Sequence, residues 1–183
     1  DRLPPAGIQL AWLFLSFLPC VLLMATSTEM TQNVAPIPLL WVLPLALYLL
    51  SFIIAFSPWG RIAYWLHIPA ILVSSFLALV VMKDSPRFGI FPAVAVYAVA
   101  FFSACMLCIT LLYSLRPQPV HLTRYYLVIA LGGALGGVFS GVVAPLLFNG
   151  YYEFRFGLMF CCITGIFMLF RERTGWVAIV RFP

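Results

Sequence analysis

Ile90-Phe91-Pro92-Ala93-Val94-Ala95-Val96-Tyr97-Ala98-Val99-Ala100-Phe101-Phe102-Ser103-Ala104-Cys105-Met106-Leu107-Cys108-Ile109-Thr110-Leu111-Leu112-Tyr113-Ser114-Leu115 carries no charged residue from one end to the other. Wound as an α-helix it exceeds the ~20 apolar residues that cross a hydrocarbon core of ~30 Å. In lipid an unpaired backbone N–H or C=O is too costly, so a helix is the default structure. Working outward, apolar runs at 8–25, 36–56 and 62–82 precede this one, and runs at 125–148 and 157–170 follow it. The last is short. It reaches spanning length as 154–170, with Arg155 snorkelling to the interface. The expected fold class is an all-α, polytopic integral membrane helix bundle of about six transmembrane helices, forming a single transmembrane domain over residues 1–183.

Composition agrees with this reading. Of 183 residues, 64% are hydrophobic and 8% charged, against about 25% charged in a soluble domain. The mean hydropathy is +1.11. The longest polar stretches, 26–33 and 116–124, leave no room between the helices for a catalytic domain. The first residue is Asp1, and the last residues, 175–183, begin like further structure. The chain is therefore expected to be a fragment of a longer one.

Charge sets an expected topology. Taken alternately, one side holds Arg2, Arg61, Arg116, Arg124, Arg171, Arg173 and Arg181, and the other holds Lys83, Arg87 and Arg155. Cytoplasmic loops carry the Lys/Arg excess, so both termini are expected in the cytoplasm of a bacterial inner membrane. This asymmetry accounts for the net charge of +5 and gives no basis for a nucleic-acid partner. Trp59, Tyr64, Trp65, Tyr125, Tyr126, Tyr151 and Tyr152 lie near run ends, where amphipathic rings favour the headgroup level. Pro36 and Pro38 suit a first helical turn, whereas Pro19, Pro44 and Pro145 fall within runs and are expected to kink them.

Four constellations could carry chemistry. In the polar stretch 26–33, Glu29, Gln32 and Asn33 could form a polar ligand site for a cation or polyamine. The competing reading is a solvated loop whose hydroxyls cap the second helix. Gly132, Gly133, Gly136, Gly137 and Gly141 supply three overlapping G-x-x-x-G pairs. Glycines four apart let a neighbouring helix approach closely, and a phosphate-cradling turn would need a strand and an aqueous site. His67, near an interface, is the candidate ligand for haem or a chlorophyll-type pigment, but it has no paired histidine. Arg116, His121 and Arg124 form a proline-stiffened basic loop suited to lipid headgroups. The five cysteines, Cys20, Cys105, Cys108, Cys161 and Cys162, fall inside predicted helices. They are expected to pack as small apolar groups, although Cys105-x-x-Cys108 has the spacing of a redox or metal motif. No Ser/His/Asp set, H-E-x-x-H, Walker loop or paired carboxylates occur, so no catalytic or metal residue is assigned.

Two long segments are similar to a known family. Thr31-Gln32-x-x-Ala35-x-x-Pro38-Leu39-Leu40-Trp41-Val42-Leu43-Pro44-Leu45-Ala46-Leu47-Tyr48-Leu49-Leu50-Ser51-Phe52 resembles part of the bacterial spermidine-synthase-like membrane proteins. So does Leu115-Arg116-Pro117-x-Pro119-x-x-Leu122-Thr123-x-Tyr125-Tyr126-Leu127, continuing through residues 132–137 to Ala144-Pro145-Leu146-Leu147-Phe148-Asn149-Gly150-Tyr151. The resemblance covers most of residues 16–158. It implies a membrane region that precedes a cytoplasmic, aminopropyltransferase-like domain binding decarboxylated S-adenosylmethionine and putrescine. These residues do not correspond to that domain, so no catalytic residue is carried over. In the family Cys-His-Gly-Glu-Leu often precedes the Arg-Pro loop. Here the matching stretch is Cys108-Ile109-Thr110-Leu111-Leu112, which lacks the His and Glu and favours a scaffold role.

The leading expectation is a non-catalytic structural or accessory subunit that stabilises a larger bacterial membrane complex, respiratory or photosynthetic. Its partners would be other integral membrane subunits and phospholipids, with lipid and no other cofactor bound. The alternatives are a transporter-like membrane half of a polyamine-synthase-like fusion, and a haem- or pigment-binding subunit.

Overall fold

The computed structural model describes residues 5–31, 40–57, 69–78, 80, 90–147 and 153–173. All regular structure among them is helical: α1 (Ala6–Glu29), α2 (Val42–Ala55), α3 (Pro69–Ala78), α4 (Ile90–Ser114), α5 (Leu122–Val138), α6 (Ala144–Leu147) and α7 (Glu153–Arg173). A 3₁₀ turn, Pro119–His121, leads into α5, and a π segment, Phe139–Val143, joins α5 to α6.

The chain is an all-α, multi-pass membrane protein, but the expectation of six spanning helices is corrected to three of membrane length among the described residues. These are Ala6–Glu29, Phe91–Ser114 and Pro119–Val143. Helices Val42–Ala55 and Pro69–Ala78 and the apolar stretch Phe154–Ile166 are shorter. At 1.5 Å per residue the 14 residues of α2 cover about 21 Å, well under the core thickness. Helix α2 ends at Ala55, one residue from the end of the apolar run at 36–56, and its shortfall lies at the start, where Trp41 precedes the first helical residue. Of the run at 62–82 the described residues are 69–78 and 80, of which Pro69–Ala78 form α3. Helix α7 has 21 residues and carries charged side chains at 153, 155 and 171–173.

The expected kink at Pro44 needs revision too. Pro44 lies in the first turn of α2, where the missing N–H costs little. Pro19 sits inside an α1 that runs unbroken from Ala6 to Glu29. Ahead of Pro145 the helix widens, and the Ala144 N–H bonds the Phe139 carbonyl five residues back. Such a π turn is a known way for a helix to absorb a residue that cannot donate to the carbonyl four positions earlier.

Helix α1 packs along α5 and touches α2, α4 and α7, while α4 also touches α2 and α7. Two thirds (67%) of the α4 span is buried, against 44% for α1 and 11% for the span containing α5. Helix α4 is thus the axis of the bundle, and α5 lies on its outside. The outer surface is apolar: Phe91 is 88% exposed and Leu146 80%. Water would penalise such a surface heavily, whereas hydrocarbon does not. Hydroxyls inside the bundle bond back along their own helices, as Ser16 does to the Trp12 carbonyl (3.0 Å) and Ser103 to that of Val99 (2.8 Å).

Small residues bring the helices together. Gly132 and Gly136 lie against α1, where an added Cβ would stand 2.6 Å from the Leu13 carbonyl oxygen and 2.7 Å from that of Phe17. Glycine at both positions therefore lets the backbones approach directly. On α7, Gly157 meets Leu22 and Gly165 meets Leu107. Ala100, Ala104 and Cys108 form a buried small-residue line on α4.

Candidate functional site

The basic end of the bundle is built on the last turn of α4. A helix leaves its final carbonyls without intrahelical partners. Here two aromatic side chains take them up. The Trp12 indole Nε1–H donates to the Leu115 carbonyl (3.0 Å), and the Tyr125 hydroxyl donates to that of Leu112 (2.9 Å). The two rings meet edge to face, 5.1 Å apart and 88° inclined, and both are buried. Three spanning helices are thereby pinned at one level, because Trp12 belongs to α1 and Tyr125 to α5.

The basic side chains surround this pin. Arg124 donates to the Gln9 side-chain oxygen (3.0 Å), tying α5 to the start of α1. Arg116 donates to the Tyr113 hydroxyl (3.1 Å), and its guanidinium carbon lies 4.8 Å from that ring centroid. Tyr113 in turn meets Phe56 edge to face (5.0 Å). The His121 N–H closes the 3₁₀ turn on the Gln118 carbonyl (3.0 Å), and His121 is the residue immediately before α5. Arg116, His121 and Arg124 thus share one end of the bundle. Arg116 and Arg124 are exposed there, and residues 113–128 include no carboxylate. Such a cationic rim above an apolar wall can hold anionic headgroups.

The opposite end differs from expectation. Residues 26–29 belong to α1 and are not a solvated loop. Their hydroxyls do not cap α2. Ser27 bonds the Leu23 carbonyl (2.8 Å), Thr28 that of Met24 (3.0 Å), and Thr31 that of Ser27 (2.8 Å). With the hydroxyls satisfied locally, the helix continues past its apolar run. Glu29 is 2% exposed, folded against the bundle within electrostatic reach of Tyr97, which also senses Arg155. Tyr97 packs edge to face on Phe154 (5.4 Å). Among the described residues the buried Thr26 hydroxyl oxygen has no hydrogen-bond partner. Gln32, Asn33 and His67 lie outside the described residues.

The glycine ladder is split. Gly132 and Gly136 face α1, while Gly133, Gly137 and Gly141 face open space. The roles of Trp12, Gln9, Gly157 and Gly165 escaped sequence reasoning. The available signals were a lone indole near a run end and the small-residue spacing Gly157-x-x-x-Cys161-x-x-x-Gly165. Among the described residues, no group of three or more His, Cys, Asp or Glu side chains is placed to hold a metal ion.

Compared with family models, curated proteins and solved structures, the chain matches none of them.

Proposed function

We propose that the chain is a non-catalytic accessory subunit of a larger membrane complex in a bacterial inner membrane, where it contributes helix packing and a headgroup-binding rim. One observation carries this reading. From Leu15 to Ala25 on α1 and from Ala93 to Leu112 on α4, the bundle centre is filled by apolar and small side chains, without a carboxylate or a basic group. A transport path or a catalytic centre at membrane depth ordinarily keeps such groups. The likeness to spermidine-synthase-like membrane proteins fits a scaffold role, because the His and Glu of that family's motif are absent here.

The test is the size and lipid content of the native particle, extracted in mild detergent and weighed intact. The expected result is a particle heavier than the chain alone, retaining anionic phospholipid that Arg116→Gln/Arg124→Gln loses at least several-fold. A monodisperse single chain with unchanged lipid would refute the proposal.

A second reading draws on Glu29. A buried carboxylate near Tyr97 and an unpartnered Thr26 hydroxyl suit a cation or polyamine passing through a transporter-like half of a fusion protein. Polyamine uptake unchanged in Glu29→Gln would eliminate it.

A further inference from the structure

The five cysteines come from three helices, and two of them meet. Cys108 on α4 and Cys161 on α7 are both fully buried, and their sulfurs stand 3.8 Å apart, 53 positions apart in the chain. Their neighbours are engaged differently. Cys162 donates to the Ser75 hydroxyl (3.5 Å), and Cys105 lies on α4 nearly one turn before Cys108. All five are free thiols in this structure or carry no bridge. The meeting has a geometric cause. Ala100, Ala104 and Cys108 are spaced four apart on α4, as are Gly157, Cys161 and Gly165 on α7. Where two small-residue faces pack, the backbones come close and short side chains touch.

We infer that Cys108 and Cys161 form an oxidisable dithiol that closes to a disulfide tying α4 to α7. A disulfide needs its sulfurs ~2.05 Å apart, so about 1.8 Å of closure is required from a contact that already exists. Metal capture is the competing use of two thiols, and it fits poorly. Two thiolates around a monovalent soft ion would leave net charge among apolar side chains, and buried charge is costly. The disulfide is neutral and removes two weak donors from an apolar setting.

The oxidant class is a peroxide, small and uncharged enough to enter an apolar bundle. One thiol attacks hydrogen peroxide. The O–O bond breaks, an S–O bond forms, and one water leaves. The second thiol sulfur then displaces the sulfenic oxygen, forming the S–S bond and releasing a second water. Two thiols and one peroxide give one disulfide and two waters, with two electrons passing from sulfur to oxygen. The bridge closes a long loop and stabilises the oxidised chain by restricting its unfolded state.

The test uses the purified chain in lipid nanodiscs, treated with hydrogen peroxide, then denatured and alkylated. The expected product has lost two hydrogens, keeps three alkylatable thiols, and yields one reducible cross-linked peptide pair carrying Cys108 and Cys161. Cys108→Ala and Cys161→Ala should each abolish the bridge, Cys105→Ala should retain it, and oxidation should raise the thermal midpoint of the wild type and Cys105→Ala but of neither bridge-lacking variant. Five alkylatable thiols after treatment would overturn the inference. So would sulfinic acid in place of the bridge, a bridge mapped to another pair, or its survival in Cys108→Ala.

Discussion

Helix α5 carries the same G-x-x-x-G spacing on two faces, and the two faces have different surroundings. Gly132 and Gly136 meet the α1 backbone at Leu13 and Phe17, whereas Gly133, Gly137 and Gly141 have nothing within contact distance of an added Cβ. A third case lies on α7, where Gly157 and Gly165 meet the side chains of Leu22 and Leu107. The spacing alone does not fix what a glycine is for. The neighbour does. A carbonyl belongs to a helix and moves only if the helix moves, but a leucine methyl can move by rotation.

The largest effect should therefore come from Gly132→Ala and Gly136→Ala. The new methyl at 136 would stand 2.7 Å from the Phe17 oxygen and 3.0 Å from the Cys20 Cβ, and neither can retreat alone. Overpacking of this kind costs about 1–3 kcal/mol. Reversible unfolding in detergent micelles should show it for both variants. Wild-type stability in either would mean that α1 and α5 are not in backbone contact.

The next effect down separates close approach from the aromatic pin. Trp12→Phe keeps a ring beside Tyr125 but leaves the Leu115 carbonyl without its donor. An abandoned buried acceptor costs about 1–3 kcal/mol, and partial access to the interface places this site near the lower figure. Tyr125→Phe should cost a similar amount through the Leu112 carbonyl. Additive losses in a double variant with Gly136→Ala would show two independent holds on α1. Strong coupling would show that the glycine contact exists only because the pin sets the helix position.

Much of this was legible in residue types. The charge-free run from Ile90 to Leu115 gave α4 nearly to the residue, because lipid leaves a long apolar segment few alternatives. The run at 36–56 overstated α2, whose helix begins only at Val42, two residues before Pro44. At α1 the error had the opposite sign. Residues 26–28 read as a polar loop, but a hydroxyl that bonds its own helix, as those of Ser27 and Thr28 do, is hardly polar to its surroundings. The basic loop could be located from Arg116, His121 and Arg124, but not the partners of its arginines, since Gln9 and Arg124 are 115 positions apart. The cysteine meeting was hidden for the same reason.

The smallest effect on the isolated chain is expected at Gly137→Ala. Among the described residues no atom lies within 4 Å of the new methyl, so overpacking adds nothing there. Alanine is favoured over glycine within a helix by about 0.8–1.0 kcal/mol, so the variant should be equal to wild type or slightly more stable in micelles. The same substitution is also a probe of the accessory reading. If another subunit packs on this outer face, the methyl that leaves the lone chain unharmed should loosen the native particle, and Gly133→Ala should do the same. If both variants are neutral in the particle as well, lipid covers this face. The partners of an accessory subunit would then have to bind elsewhere, for instance at the apolar flanks of α2 or α7. The sign of the effect in micelles and its sign in the native particle therefore answer separate questions. One concerns what holds this bundle together, and the other what the bundle holds.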